Sequence, residues 1–480
     1  MSANFQLQTE NFLQWLLQSG YDLSPKFQIE DLREHGQGRG LVATQNISAD
    51  EVLFKIPRNV LLNVDTGTLS QINGTNKEKL LTKYDHWEGL ILTILYEISL
   101  GEKSKWAPYF KILPENFQSL MYWEDDEIES LNPSLVVSRI GKQQAEETFH
   151  RLIPDALIDL GIGNLQISLD QFHQVASTIL SYSFDVERPD FNEEEEDDEI
   201  VKSDGYFKSM IALADTLNSD SSLCNANLFY ETEFLIMKSI KTIEKGEQIY
   251  NIYGEHPNSE LLRRYGYVEW NSSKYDFGEI RIENIKESIK LHFMVSDELL
   301  TTLLNMVSQN EVDEIEEELV LDSYDIYIDG ETIPEFTILV QVLTTLFQLN
   351  RSLDFQSMTF DELTKTVNRT LKKCYQLIES GSITRESLLL FELIVQSRLS
   401  EYPSHAFRKF VTPLILNDYS NKIKMSERIL KSEVESLQNF LKLLNDGNIF
   451  KLVGDEKLNR NILKRKVNDN DQKVNKKQRL

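Results

Sequence analysis

Apolar residues first recur at helical spacing. Phe12, Leu13, Leu16 and Leu17 share one face, and Gly20 stops the run. The period then shortens. In GQGRGLVATQNISADEVLFKIPRNVLL (36–62) apolar and β-branched residues alternate with polar ones, which predicts two or three short strands with a tight turn at Ala49-Asp50. From about 70 to 180 the pattern is helical, as in HWEGLILTILYEISLG with its closing Gly101. The acid block FNEEEEDDEI (191–200) reads as a solvated loop. Strands resume from 206 to 270, where IEKGEQIYNI from Ile243 echoes ISADEVLFKI from Ile47; each predicts a hairpin turn feeding a strand. From 285 to 445 amphipathic helices dominate, interrupted by a strand-like DSYDIYIDG at 322–330. The last thirty residues become basic and lose apolar content, which predicts a disordered tail.

The outline is therefore β, helical insertion, β, helical domain, tail. A β unit split around a helical insert suggests that its two halves meet at one site.

Composition narrows the function. The chain has 480 residues, enough for two or three domains, and a net charge of −27. Such a charge disfavours direct binding of nucleic acid or an anionic membrane and attracts a cationic partner. Cys224 and Cys374 are the only cysteines, so no disulfide framework or cysteine zinc cluster is available, and a reducing compartment is expected. FLQWLL, near the N-terminus, is too short to span a bilayer and has no basic segment before it, so neither a secreted nor a membrane protein is expected.

Phosphate-loop and zinc spacings are missing, and no metal is expected. The unusual stretch is ADTLNSDSSLCNANLFYE (214–231), with Asp215, Asn218, Asn225 and Asn227 between the apolar runs SMIALA and EFLIM. About 35 residues after Asp215 follows IYNIYGEHPNSELLRRYGYVEW, with Tyr250, Tyr253, Tyr265 and Tyr267 beside Gly254 and Gly266. Single tyrosines of this kind usually pack in a core with the hydroxyl at the surface; four in one window suggest a site.

Together with GRGLVATQNI, ADEVLFKIP and SKWAPYFKILP, these segments resemble the SET-domain protein-lysine methyltransferases, in the subclass with a Rubisco-methyltransferase-like C-terminal domain. The resemblance spans roughly residues 5–450. It implies an α+β fold: a SET-type β fold with a threaded, pseudoknotted active-site segment, a helical insertion at about 70–180, and a mostly helical C-terminal domain. The domains would be 1–275, 285–450 for holding the protein substrate, and a tail at 451–480. Threading buries irregular backbone, which needs local partners, and Asn and Asp side chains supply them.

The resemblance also implies roles. Gln37, Gly38, Arg39, Asp215, Asn218, Ser219, Tyr253 and Tyr265 would bind S-adenosylmethionine; Gly38 would let backbone approach it. Tyr253 would be the catalytic tyrosine. Phe184, Asp215, Tyr265 and Tyr267 would hold the lysine. An ammonium with a pKa near ~10.4 must lose a proton before it attacks a sulfonium methyl, and a narrow aromatic channel disfavours the charged form. The chain departs from the family pattern at three places: Ser219 where Asn-His is usual, Tyr182 where Arg is frequent, and Tyr267 where Phe is frequent.

The implied product is mainly monomethyl-lysine on a basic large-subunit ribosomal protein, made by a monomer with no metal. Two other readings stay open, a non-catalytic binder of basic proteins and a histidine methyltransferase. Lys464-Arg465-Lys466 and Lys476-Lys477 are spaced as in a bipartite import signal, so a nuclear pool is expected.

Overall fold

The computed structural model describes residues 3–188, 205–309, 318–411, 421–447 and 449–464. It divides into two units, one comprising Met1–Tyr275 and Phe410–Ile429, the other Asp276–Lys409 and Leu430–Leu480. The acid block at 191–200 and residues 465–480 of the expected tail lie outside the described residues.

The first unit opens with the helix Ala3–Gln18, whose Phe12 and Leu16 are fully buried while Leu17 stays exposed. Ten short strands follow. They are β1 (Asp22–Leu23), β2 (Phe27–Asp31), β3 (Arg39–Ala43), β4 (Val52–Pro57), β5 (Ser183–Glu187), β6 (Tyr206–Met210), β7 (Asn218–Ser219), β8 (Ala226–Tyr230), β9 (Phe234–Ser239) and β10 (Gln248–Asn251). One sheet runs β1-β4-β9-β8, a second β2-β3-β10-β7, and β5 pairs with β6. The helical insertion lies between β4 and β5, and its helix His86–Leu100 is buried along most of its length.

The two echoing segments are not hairpins. Each turn carries the chain from one sheet to the other, β3 to β4 and β9 to β10. The turns instead pair with each other: Ile47 bridges Ile243, Asp50 N donates to Ser239 O, and Gly246 N donates to Ala43 O. A hairpin turn returns a strand to its neighbour, whereas these corners answer each other across the unit. Asp50, at φ 63°, and Gly246, at φ 92°, supply the left-handed residues the corners need.

The second unit is mostly helical. Phe336, Phe391 and Phe440 pack as an aromatic cluster, with ring centroids 5.3 to 6.1 Å apart. The strand-like DSYDIYIDG forms β12 (Ser323–Tyr327), antiparallel to β11 (Phe277–Arg281). Two sequence-based boundaries are revised. Residues Phe410–Ile429 group with the first unit, where Met425 and Ile429 pack beside Trp123 and Leu262. The tail begins later than 451, because β14 (Lys451–Val453) pairs with β13 (Ser382–Thr384) and the helix Asp455–Leu463 buries Leu458 and Ile462. Basic composition masked that i, i+4 apolar pair.

Candidate active site

The Asn-rich segment owes its composition to backbone that no regular ladder serves. Asn225 donates from Nδ2 to Gln248 O at 2.9 Å, and its Oδ1 accepts from Tyr250 N at 2.8 Å. Asp220 Oδ1 accepts from the amides of Ser222 and Leu223. These side chains close turns by pairing amides that the strand ladders do not reach. They also hold β7 parallel to β10, with Asn218 opposite Tyr250 and Ser219 opposite Asn251.

That pairing brings one group of expected site residues together. Asn218 Nδ2 lies 3.3 Å from Arg39 O and 3.5 Å from Gln37 Oε1, and Gln37 Nε2 reaches the Tyr250 hydroxyl at 3.5 Å. The glycine crowded by the protein itself is Gly40, while Gly38 faces open space. A Cβ on Gly38 would meet nothing within 4 Å, whereas one on Gly40 would lie 2.8 Å from Asn218 Nδ2 and 2.5 Å from Leu32 Cδ1. Arg39 donates to Thr9 Oγ1 and Ile112 O and packs over the Phe5 ring, and its Nη2 is buried without a hydrogen-bond partner.

A second group surrounds a cavity of about 360 Å³. Phe184, Asp215, Tyr253 and Tyr265 line it, together with Tyr230 and the Ser181–Ser183 segment. Tyr230 was missed because it reads as an ordinary alternating strand residue; its position at the end of β8 puts it on the cavity wall.

Tyr253 joins the two groups. Its amide donates to Ser219 Oγ at 3.2 Å and its hydroxyl to Leu217 O at 2.8 Å. The Tyr265 ring lies 4.8 Å from the Tyr253 ring, and the Tyr265 hydroxyl donates to Tyr253 O at 3.4 Å. Tyr267 is not on the cavity wall. It stands edge-on to Tyr253 at 6.3 Å, with its hydroxyl buried and Ser219 as a weak partner that falls short of full hydrogen-bond geometry. Burial pushes the Tyr253 hydroxyl well above its ordinary pKa, with the neighbouring tyrosines adding to the shift, so it remains a neutral donor.

Asp215 is the charged group of the cavity. Burial pushes its carboxyl up to about 7, against the lowering effect of hydrogen bonds, first among them one from Tyr109. No cation is among the groups that shift it. No cluster of three or more His, Cys, Asp or Glu side chains suited to a metal occurs among the described residues. None of the described helices is long and apolar enough to cross a membrane.

The chain resembles known proteins along its length. The SET domain family matches residues 38–254. The chain is 43% identical to Ribosomal lysine N-methyltransferase 4 of Saccharomyces cerevisiae, over 98% of this chain and 97% of that one. It is 30% identical to N-lysine methyltransferase SETD6 of Rattus norvegicus, over 58% of each. The crystal structure of the SET domain of LSMT bound to lysine and AdoHcy superposes with a TM-score of 0.63 at 18% identity, covering 99% of both chains, which establishes the shared fold. Similarity along nearly the whole chain to a lysine methyltransferase makes this protein a member of the SET-domain protein-lysine N-methyltransferases, which use S-adenosylmethionine as methyl donor.

Proposed function

We propose that this enzyme adds one methyl group to a lysine of a basic large-subunit ribosomal protein. The observation that carries the reading is Tyr253, hydrogen-bonded to the Asn-rich segment between an amide-lined loop and a cavity holding an unpaired carboxylate. Two features support the substrate class: the relative at 43% identity is a ribosomal lysine methyltransferase, and a net charge of −27 steers cationic partners inward.

In this reading Gln37, Gly38, Arg39, Asn218 and Ser219 form the cofactor side. The residues fit such a ligand. Space is open above Gly38, and Arg39 keeps a buried donor unpaired in a chain that carries Tyr182 where the family resemblance leads one to expect Arg. The cofactor, when bound, supplies an electrophilic methyl on a cationic sulfur.

The cavity side receives the lysine. Phe184 and Tyr265 give it apolar walls, which favour the neutral amine, and Asp215 offers an anion to the arriving ammonium. Because Tyr253 donates its proton to Leu217 O, its oxygen lone pairs are free to accept weak CH···O contacts from a polarised methyl. Tyr265 helps to hold the Tyr253 ring, which would keep the phenol oxygen in a fixed place beside a bound lysine and cofactor.

The test is incubation with labelled cofactor and total ribosomal protein, read by mass spectrometry. Monomethyl-lysine on a large-subunit protein is expected; label on histidine, or none, would overturn the reading. A nuclear pool directed by the basic tail is proposed with it, and truncation after Leu463 that leaves localisation unchanged would remove that idea.

A further inference from the structure

Asp215 is held from one side by a residue that the transfer chemistry does not itself use. Tyr109, in the short helix Ala107–Phe110 of the insertion, is wholly buried and donates its hydroxyl proton to Asp215 Oδ2. Its ring is stacked on Trp15 at 6.3 Å and 8° and on Phe12 at 6.3 Å and 28°. Trp15 is in turn fixed by its indole N–H, which donates to Lys105 O at 2.7 Å. The other oxygen of Asp215 has a long side-chain contact, 3.5 Å, from the Thr216 hydroxyl, the backbone of Leu213 and Asp215 adds weaker hydrogen bonding to the carboxyl, and Asp215 lines the cavity.

We propose that Tyr109 is a positioning residue for methyl transfer: held by the Phe12–Trp15 stack, its hydroxyl fixes one oxygen of Asp215 and leaves the other to receive the ammonium of the target lysine. The inference rests on the functional reading above and deepens it. A buried carboxylate without a cation beside it is costly unless something satisfies it, and the tyrosine does so without neutralising it. Burial keeps the proton on Tyr109, well above its ordinary pKa, so the donor direction is fixed. The other titratable groups facing Asp215 are Tyr21, Tyr182 and Tyr253, all raised by burial first and by its charge second or later. Tyr21 does not compete for the carboxylate, since its hydroxyl donates to Ala212 O at 3.3 Å. The arrangement couples the N-terminal helix and the short helix Ala107–Phe110 to the site, although neither contributes a residue to the cavity wall.

The experiment compares full-length wild type with Tyr109→Phe, Tyr21→Phe and Asp215→Asn. The rate at limiting total ribosomal protein is measured from pH 6 to 9, together with cofactor affinity by calorimetry. Removing the Tyr109 hydrogen bond takes away an interaction that lowers the Asp215 pKa. The acid limb of Tyr109→Phe should therefore move up by about one pH unit, and raising the pH should restore much of the rate. Tyr21→Phe should leave the limb in place, cofactor affinity should hold in both, and Tyr109→Phe should add nothing in an Asp215→Asn background. An equal loss at every pH would overturn the proposal. Infrared titration of the Asp215 carboxyl in the free protein, assigned by its absence in Asp215→Asn, should show the same upward shift and requires no activity. If transfer to lysine is absent in wild type, the functional reading fails while this measurement still decides the pairing. Should Tyr109→Phe not fold, Phe12→Leu keeps the hydroxyl but loosens the stack, and a smaller upward shift is expected; an unmoved carboxyl in that variant would count against positioning.

Discussion

The Tyr253 hydroxyl donates to the main-chain carbonyl of Leu217 at 2.8 Å, tying the Tyr-rich segment to the Asn-rich segment one residue before Asn218. The bond fixes where the phenol oxygen points and which of its faces remains available as an acceptor.

Tyr253→Phe is expected to lower kcat by on the order of 100-fold, because the oxygen is needed most where the methyl is in flight. Cofactor affinity should change far less, since the ring and its contact with Tyr265 remain. Single-turnover kinetics beside calorimetry separate the two, and wild-type turnover in this variant would take Tyr253 out of the mechanism.

Asn218→Ala should act in the opposite way. Its amide lies between Arg39 O and Gln37 Oε1, at the loop assigned to the cofactor. Loss of a hydrogen bond to a charged ligand costs about 1.5–3 kcal/mol, or roughly one to two decades in Kd. Unchanged affinity by calorimetry would detach Asn218 from the cofactor.

Gly40→Ala tests the same loop without replacing a proposed ligand residue. The new Cβ would crowd Asn218 Nδ2, Gln248 Nε2 and Leu32 Cδ1, all far ends of side chains that can swing aside. Stability should therefore fall by no more than about 1–2 kcal/mol. Cofactor affinity should fall as well, because the Asn218 amide is what must move. A variant with lowered melting temperature and intact affinity would show that the displaced amide plays no part in binding.

Much of this was legible in the sequence, and the misses share a cause. Turn-forming Asn and Asp, the tyrosine window and the helical periods each leave a local mark, so the Asn-rich segment and the group of four tyrosines could be found from composition and spacing, while it is the family resemblance that singles out Tyr253. Gly40 could not be separated from Gly38, because which glycine is crowded depends on Asn218, 178 positions later. Tyr109 sits in an apolar phrase that reads as core, and its partner Asp215 is 106 residues away. The corners at Asp50 and Gly246 looked like hairpins because a turn sequence specifies the bend and not the strand it leads to.

Asp215 should make the protein less stable at alkaline pH. Its carboxyl goes from 3.8 in the unfolded chain to about 7 when folded. The folded state therefore binds the proton more tightly, and the ionised form costs stability above pH 7. That cost fades as pH falls from about 7 toward 3.8. Asp215→Asn is expected to raise the melting temperature at pH 8 more than at pH 5 while lowering activity. Equal shifts at the two pH values would mean that the carboxylate is not strained by burial.

Tyr267 bears on the product. Its hydroxyl is buried with Ser219 as a weak partner, and its ring meets Tyr253 edge-on rather than lining the cavity. A poorly satisfied buried hydroxyl costs up to about 1–3 kcal/mol, so this position favours an ordered water that bridges it to a neighbour. Such a water beside Tyr253 takes up room that a methylated amine needs if it is to turn and present its lone pair again. The first methyl needs no such turn. Wild type is therefore expected to stop mainly at monomethyl-lysine, and Tyr267→Phe, which removes the hydroxyl, to be at least as stable and to release dimethyl product. A mass-spectrometric time course on the methylated substrate checks this. Dimethyl-lysine accumulating equally in both proteins would show that the hydroxyl does not set the product, and a lowered melting temperature in Tyr267→Phe would show that it is satisfied after all.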